Sequence, residues 1–430
     1  MLDAATALVH AQIEYLSNEI EIVYQNEPDL VNRLKREASV EPTNYRGRRV
    51  PLEVGPNPSL SFGNPAGGDL AHPGSPSFNH LSIPYIPFNL GLEIAYDALL
   101  NQGHQTAGNI IEQSAQSTAK TLVKWLNIFA SNGDGTTTIA LVSARTSNTV
   151  LTCDVATDSI GASQIIPGMR VTVWDSTCTV QRVGTVGAGA IIVASKTGTT
   201  VTADAVNSTN WPSDVVNGDR IVPEGTTPSA GIKGIPYIDN NAGDYFGLAR
   251  SAVPATKSTI IATGGAALSA TLMQQLWERV RQRTGQLGLK GGGILEWACA
   301  LTQHEKYSSL LTKTAFQSGA ERPAMDVGYA AQEFTWFGVP INSYLDYRGD
   351  RMDLINFSYL KVANLKDPGV LKGMPISDEL QSFNGVTGVY RMAKARYLDA
   401  ARDNFCASSF RLGSINGLDM TALSKQKDVG

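Results

Sequence analysis

Three short motifs in this chain have the residue types for acyl-transfer chemistry. Ser117-Thr118-Ala119-Lys120 matches S-x-x-K, Lys196-Thr197-Gly198 matches K-T-G, and Ser208-Thr209-Asn210 matches S-x-N. Together they are the set of the penicillin-recognising serine enzymes. Their order is wrong, because K-T-G should come last, and Ser117 lies inside a helical pattern where the nucleophile should open one. In a chain rich in Ser, Thr and Gly such triplets arise by chance. Gly187-Ala188-Gly189-Ala190 and Gly291-Gly292-Gly293 lack the strand–loop–helix order with G-K-[ST] that cradles phosphate. Arg348-Gly349-Asp350 is an adhesion tripeptide, but a turn between two strands accounts for its glycine. His72 and His80 with Asp69 have metal-binding side chains at a spacing that fits no closed site. His304 reads as surface, and the carboxylate pairs Glu19/Glu21 and Asp378/Glu379 show no acid–base pairing. The expectation is no catalytic residues, no cofactor, no metal, and no enzyme.

Bulk properties narrow the class. A net charge of −4 with no basic block excludes a coat that binds nucleic acid by neutralising phosphates. The richest basic stretch, ERVRQR at Glu278–Arg283, fits one helix face. Cys153, Cys178, Cys299 and Cys406 are far apart, which argues against a zinc site or disulfide framework and for a reducing compartment. The N-terminus has no basic n-region and no run of 18 apolar residues occurs, so a soluble, cytosolic product is expected.

The elements that would position any site follow from periodicity. Residues 3–38 read as one or two helices, with a stripe at Leu8, Ala11, Ile13, Leu16, Ile20 and Val23. Residues 51–90 hold eight of the twenty prolines, too many for a helix, and are too polar for a core; they contain no Lys or Arg. Their ends alternate apolar and polar residues, as the strands of a hairpin-like arm would. Residues 92–101 read as a short helix. Residues 105–130 carry Ala107, Ile110, Ile111, Ala115, Thr118, Leu122, Leu126 and Phe129, the stripe of one helix about 39 Å long. From Ser131 to about Thr227 short β-type runs alternate with turn residues, which predicts a compact all-β barrel or sandwich inserted in a mixed chain. Beyond it, Ser269 is the expected cap of a helix over 268–284, with Leu268 and Met273 at staple spacing. ILEWACAL (294–301) reads as a buried strand, and Thr302 with Glu305 as a capping box. Two strand-like segments flank DYRGDR, and residues 388–412 mix strand and helix signals.

The order of FNLGLEIAYDALLNQG, GIPYIDNNAGDYFGLARS, the helix after GGAALSATLMQQL, ILEWACALTQHEKYSSLL and EFTWFGVPINSYLDYRGDRMDLINFSYL resembles the major capsid proteins of tailed double-stranded DNA phages. The resemblance covers about residues 1–131 and 229–417. It implies an α+β Hong Kong 97-like fold: an N-terminal helical arm (1–50), an extended loop (51–90), a spine helix of the peripheral domain (91–131), and the remaining peripheral and axial domains (229–430). Residues 132–228 would be an inserted all-β module facing outward.

The resemblance further implies a structural subunit that assembles into an icosahedral shell of pentamers and hexamers around packaged DNA. It implies scaffolding, portal and decoration proteins as partners, non-specific contact with DNA, no membrane, and a place in the virion after assembly in the host cytoplasm. The extended loop would lie over a neighbouring subunit, with Phe62, Phe78, Ile83, Tyr85, Ile86 and Phe88 as inter-subunit contacts. With no lysine in 51–90, the lysine cross-link of one branch of the family is not expected. An encapsulin-like compartment shell, a β-rich binding or adhesion protein, and a hydrolase are the competing classes.

Overall fold

The computed structural model describes residues 30–37, 39–42, 47–59, 74–84, 86–95, 121–122, 124–153, 164–184, 189–206, 208–290, 294–317, 335–344, 346–370, 382–383, 390–391, 393–406 and 411–420. A six-stranded sheet is built in the order Thr259–Ala262, Gly413–Asn416, Arg351–Asn356, Leu295–Cys299, Val339–Ser343, Thr335–Trp336. Every residue of Leu295–Cys299 is buried, as a central strand with both faces covered requires. The expected buried strand is therefore observed.

Helices Ala270–Lys290 and Leu301–Gln317 pack on this sheet. Ser269 caps the first: its Oγ accepts from the Leu272 amide at 3.3 Å. Leu268 and Met273 meet in the same apolar cluster, along with Leu276, Trp277 and Val280. Regular helical geometry breaks at Gly285, whose φ is 66°. The expected box on the second helix does not form. The amides of Gln303 and His304 both donate to the Ala300 carbonyl, so the helix starts at Leu301 and Thr302 is already inside it. Close packing of the first helix on the sheet depends on Gly413. A Cβ there would lie 2.8 Å from Val280 Cγ2 and 2.9 Å from Leu276 Cδ1. Gly413→Ala is expected to destabilise the chain by about 1–3 kcal/mol through overpacking, read as a lower urea midpoint with unchanged slope.

A four-stranded sheet joins distant parts of the chain in the order Ser39–Pro42, Leu360–Val370, Ala393–Cys406, Pro87–Ala95. This corrects the reading of residues 92–101 as a helix. Leu92–Ala95 pair antiparallel with Ala393–Arg396, and a tertiary ladder overrides local helix preference. Residues 96–101 lie outside the described residues. The same ladder makes a 14-residue strand of Ala393–Cys406, although AKARYLDAARD is rich in helix formers.

Of the long helix expected over 105–130, residues 121–122 and 124–132 are described, and they are helical. Leu122, Trp125, Leu126 and Phe129 are buried against the N-terminal helix Leu30–Glu37, which contributes Leu30, Val31 and Leu34. Asn127 ties the two helices: its Oδ1 accepts from the Val31 amide at 3.3 Å, and its Nδ2 donates to Asp346 at 3.0 Å. The helix stops at Gly133, where a Cβ would lie 2.3 Å from the Ile232 carbonyl oxygen.

Six antiparallel strands then close a barrel in the order Arg220–Pro223, Ala140–Arg145, Val150–Cys153, Thr200–Ala203, Ile191–Thr197, Arg170–Trp174. Val142, Leu151, Val171, Val173, Ile191, Val193, Val201 and Ile221 fill it at the period of two that a strand imposes, with Trp211 fully buried beside them. The chain leaves and returns side by side. Asp134 bridges Lys233, Thr137 N donates to Pro228 O at 2.9 Å, and Gly231 N donates to Gly135 O at 3.0 Å.

Candidate interaction site: the arm hairpin and its dock

The arm is a hairpin of Arg48–Gly55 and Ser77–Ile83, in register from Arg48 opposite Ile83 to Glu53 opposite Phe78, with a bulge before Gly55 meets Ser77. It has two unlike faces. Leu81 and Ile83 point into an apolar cluster with Tyr245, Phe246, Leu248, Val253 and Ala363, bordered by Val50, Leu52 and Val54. Arg49, Pro51, Glu53, Phe78, His80 and Ser82 are exposed. Phe78 is 68% exposed.

The dock is built by the GDYFGLAR segment. Asp244–Tyr245 and Leu248–Ala249 pair around a tight turn at Phe246 and Gly247, with φ of 48° and 87°. The turn brings Tyr245 and Phe246 edge to face at 4.8 Å, and Phe246 against Tyr237 at 5.4 Å. Tyr237 Oη accepts from the Phe246 amide at 3.1 Å. The Ser82 amide donates to the Phe246 carbonyl at 3.0 Å, joining hairpin to dock.

Arg250 holds the dock from beneath. It is 1% exposed, with its guanidinium 4.3 Å from the Tyr245 ring centroid. It donates to the carbonyls of Asn240 at 2.7 Å, Ile238 at 3.5 Å, Thr256 and Tyr237. Burial pulls its pKa below the ordinary arginine value.

A comparison of this fold with solved structures finds the capsid asymmetric unit of cyanophage A-1(L) at a TM-score of 0.52. It covers 90% of this chain and 92% of the other at 12% identity. The fold is that of a phage capsid protein. The native GTA particle capsid (TM-score 0.43, 11% identity, 90% and 89% covered) and Gordonia phage Cozz (0.41, 11%, 89% and 85%) also match. The assignment rests on the cyanophage structure. No family model matches the sequence, and no curated protein matches it.

In this capsid fold the six residues expected at inter-subunit contacts separate. Phe62 and Tyr85 lie outside the described residues. Phe88 lies in the strand Pro87–Ala95, paired with Ala400, and its side chain is outside the description. Ile83 and Ile86, 1% and 6% exposed, are buried within their own chain. Alternation along the strand turns Ile83 inward onto the dock. Phe78 is the one of the six described as exposed.

The chemical motifs take structural places. Lys196-Thr197-Gly198 is the end of a barrel hairpin, with Gly198 at φ 56°. Ser208 Oγ accepts from the Ile192 amide at 2.9 Å and donates to the Asp204 carbonyl at 2.7 Å, bracing the barrel. Ser117 and Lys120 lie outside the described residues. Arg348 and Asp350 pair with each other, Nε to Oδ1 at 3.0 Å and Nη2 to Oδ2 at 2.9 Å, and Gln303 donates to the Gly349 carbonyl at 2.6 Å. The tripeptide is thus occupied internally. His80 is exposed on the arm, while His72 and Asp69 are outside the description. His304 is half-buried, and burial lowers its pKa. Among the described residues no cluster of three or more metal-ligating side chains occurs.

Arg250 was not legible as a site residue. An arginine in a Gly-rich loop reads as surface. The available signal was its neighbourhood, with two aromatic residues and a turn glycine within five positions.

Proposed function

We propose that this chain is the subunit of an icosahedral shell that encloses packaged double-stranded DNA. The observation that carries the reading is the fold match to the cyanophage A-1(L) capsid over nine-tenths of both chains. The net charge of −4 fits a container whose DNA is driven in and neutralised by small cations, rather than a coat that wraps each phosphate. The hairpin is the arm that reaches a neighbouring copy in pentamers and hexamers, and Phe78 is its apolar contact. The closed barrel is an inserted module on the outer surface, since its neighbouring ends leave the shell-forming elements continuous. Scaffolding, portal and decoration proteins complete the particle, and the mature subunit resides in the virion.

Electron microscopy of the chain co-expressed with its neighbouring genes tests this reading. Closed shells of uniform size, holding nucleic acid when native, are the expected result. A persistent monomer under those conditions would overturn it. Shells filled with an enzyme cargo would assign the chain to a compartment instead.

A further inference from the structure

One buried guanidinium joins the dock to the central sheet. Arg351 opens the strand Arg351–Asn356, and its Nε donates to both oxygens of Asp353, at 2.6 and 2.8 Å. Its Nη2 donates to the Asp239 carboxylate at 3.1 Å and to the Asp239 carbonyl at 3.0 Å. Asp239 follows the short helix Ile235–Ile238 that leads into the dock. The Tyr347 hydroxyl donates to Asp353, and the hydroxyls of Ser258 and Ser414 face Asp239. Asp239, Arg351 and Asp353 are all buried.

The surrounding groups add no second ion pair to this cluster. The Cys299 thiol on the neighbouring strand is pushed far above its ordinary range by burial and stays neutral. Glu296, on the same strand, has its own partners: Tyr344 and Asn342 donate to it, and Arg33 pairs with it at 3.3 Å. Arg250 lies beyond Asp239, but its donors go to backbone carbonyls. Two carboxylates therefore share one hydrogen-bonding guanidinium in a site closed to water, and Arg250 reaches Asp239 only through its charge. A dry site disfavours an unpaired charge, and uptake of one proton removes it.

We propose that the Asp239–Arg351–Asp353 cluster is a proton-linked clamp, which holds the dock segment to the central sheet while one proton is shared between its carboxylates and loosens when that proton leaves. Burial holds Asp353 up to about 7 and raises Asp239 as well. A carboxyl raised in the folded state stabilises the fold fully below its unfolded pKa, near 4, and that stabilisation is lost as pH rises through about 7. The clamp is thus tight at pH 5 and slack at pH 8. This concerns the subunit itself and stands whether or not the chain builds a shell.

The test is equilibrium urea unfolding of the full-length chain from pH 5 to pH 8, with Asp353→Asn and Asp239→Asn beside it. Each substitution leaves one carboxylate for one guanidinium. The wild-type unfolding constant is expected to rise more steeply than either variant's, by up to about tenfold per pH unit as one proton is lost. The infrared carbonyl band of a protonated carboxylic acid should be present at pH 5, fade by pH 8, and be reduced in Asp353→Asn. Equal pH slopes for wild type and variants would overturn the clamp. If neither variant folds, the wild-type slope decides alone, and an unfolding constant that does not rise between pH 5 and pH 8 overturns the proposal.

Discussion

Replacing Arg250 by methionine is expected to cost about 3–5 kcal/mol, a large fraction of the roughly 5–15 kcal/mol that keeps a chain folded. Methionine fills much of the same space and keeps the contact with the Tyr245 ring. It cannot donate to the carbonyls of Tyr237, Ile238, Asn240 and Thr256. Each buried carbonyl left without a donor costs about 1–3 kcal/mol, less where the loop relaxes to admit water. Arg250→Lys should recover only part of the loss, because one ammonium cannot span four acceptors placed for a planar fork. Urea unfolding reads the size of the effect. Hydrogen exchange reads its place, and protection should fall first in residues 237–256 and in the hairpin strand Ser77–Ile83. A loss below about 1 kcal/mol would mean that the aromatic cluster alone supports the dock.

Phe78→Asp should leave the subunit folded and weaken its assembly. Phe78 is 68% exposed and lies opposite Glu53 on the outward face of the hairpin, so its removal takes nothing from the core. Burying a phenylalanine side chain at a contact is worth about 1.5–3 kcal/mol. In the proposed shell each copy would make that contact, so the concentration needed for closed particles should rise about 10–100-fold. A carboxylate in its place adds a desolvation cost. Sizing chromatography at matched concentrations checks the outcome, with an unchanged urea midpoint as the control. Normal shells from Phe78→Asp would remove Phe78 from the contact and leave the shell reading intact.

What could be read from the sequence was whatever local patterning decides. The five buried residues of Leu295–Cys299, the Ser269 cap with its Leu268–Met273 pair, and the alternating barrel strands each follow from a pattern a few residues long. What could not be read was decided by partners far along the chain. Leu92–Ala95 has helix-like composition and becomes strand because Ala393–Arg396 lies beside it. Ile83 is apolar in a polar arm, and only the dock at Tyr245 and Phe246 shows that its partner is in its own chain. Arg351 and Asp353 alternate with apolar residues, as on a half-exposed strand. They are buried because Asp239, more than a hundred positions earlier, meets them.

The side-by-side ends of the barrel carry a practical consequence. The segments that lead out at 134–137 and back at 228–233 are hydrogen-bonded to each other. Whatever lies between them sets no spacing for the rest of the chain. The position behaves as a socket. A tight turn, a different small domain or a displayed peptide could be spliced there while the two sheets and the arm keep their geometry. Cargo of that kind would be carried once per chain.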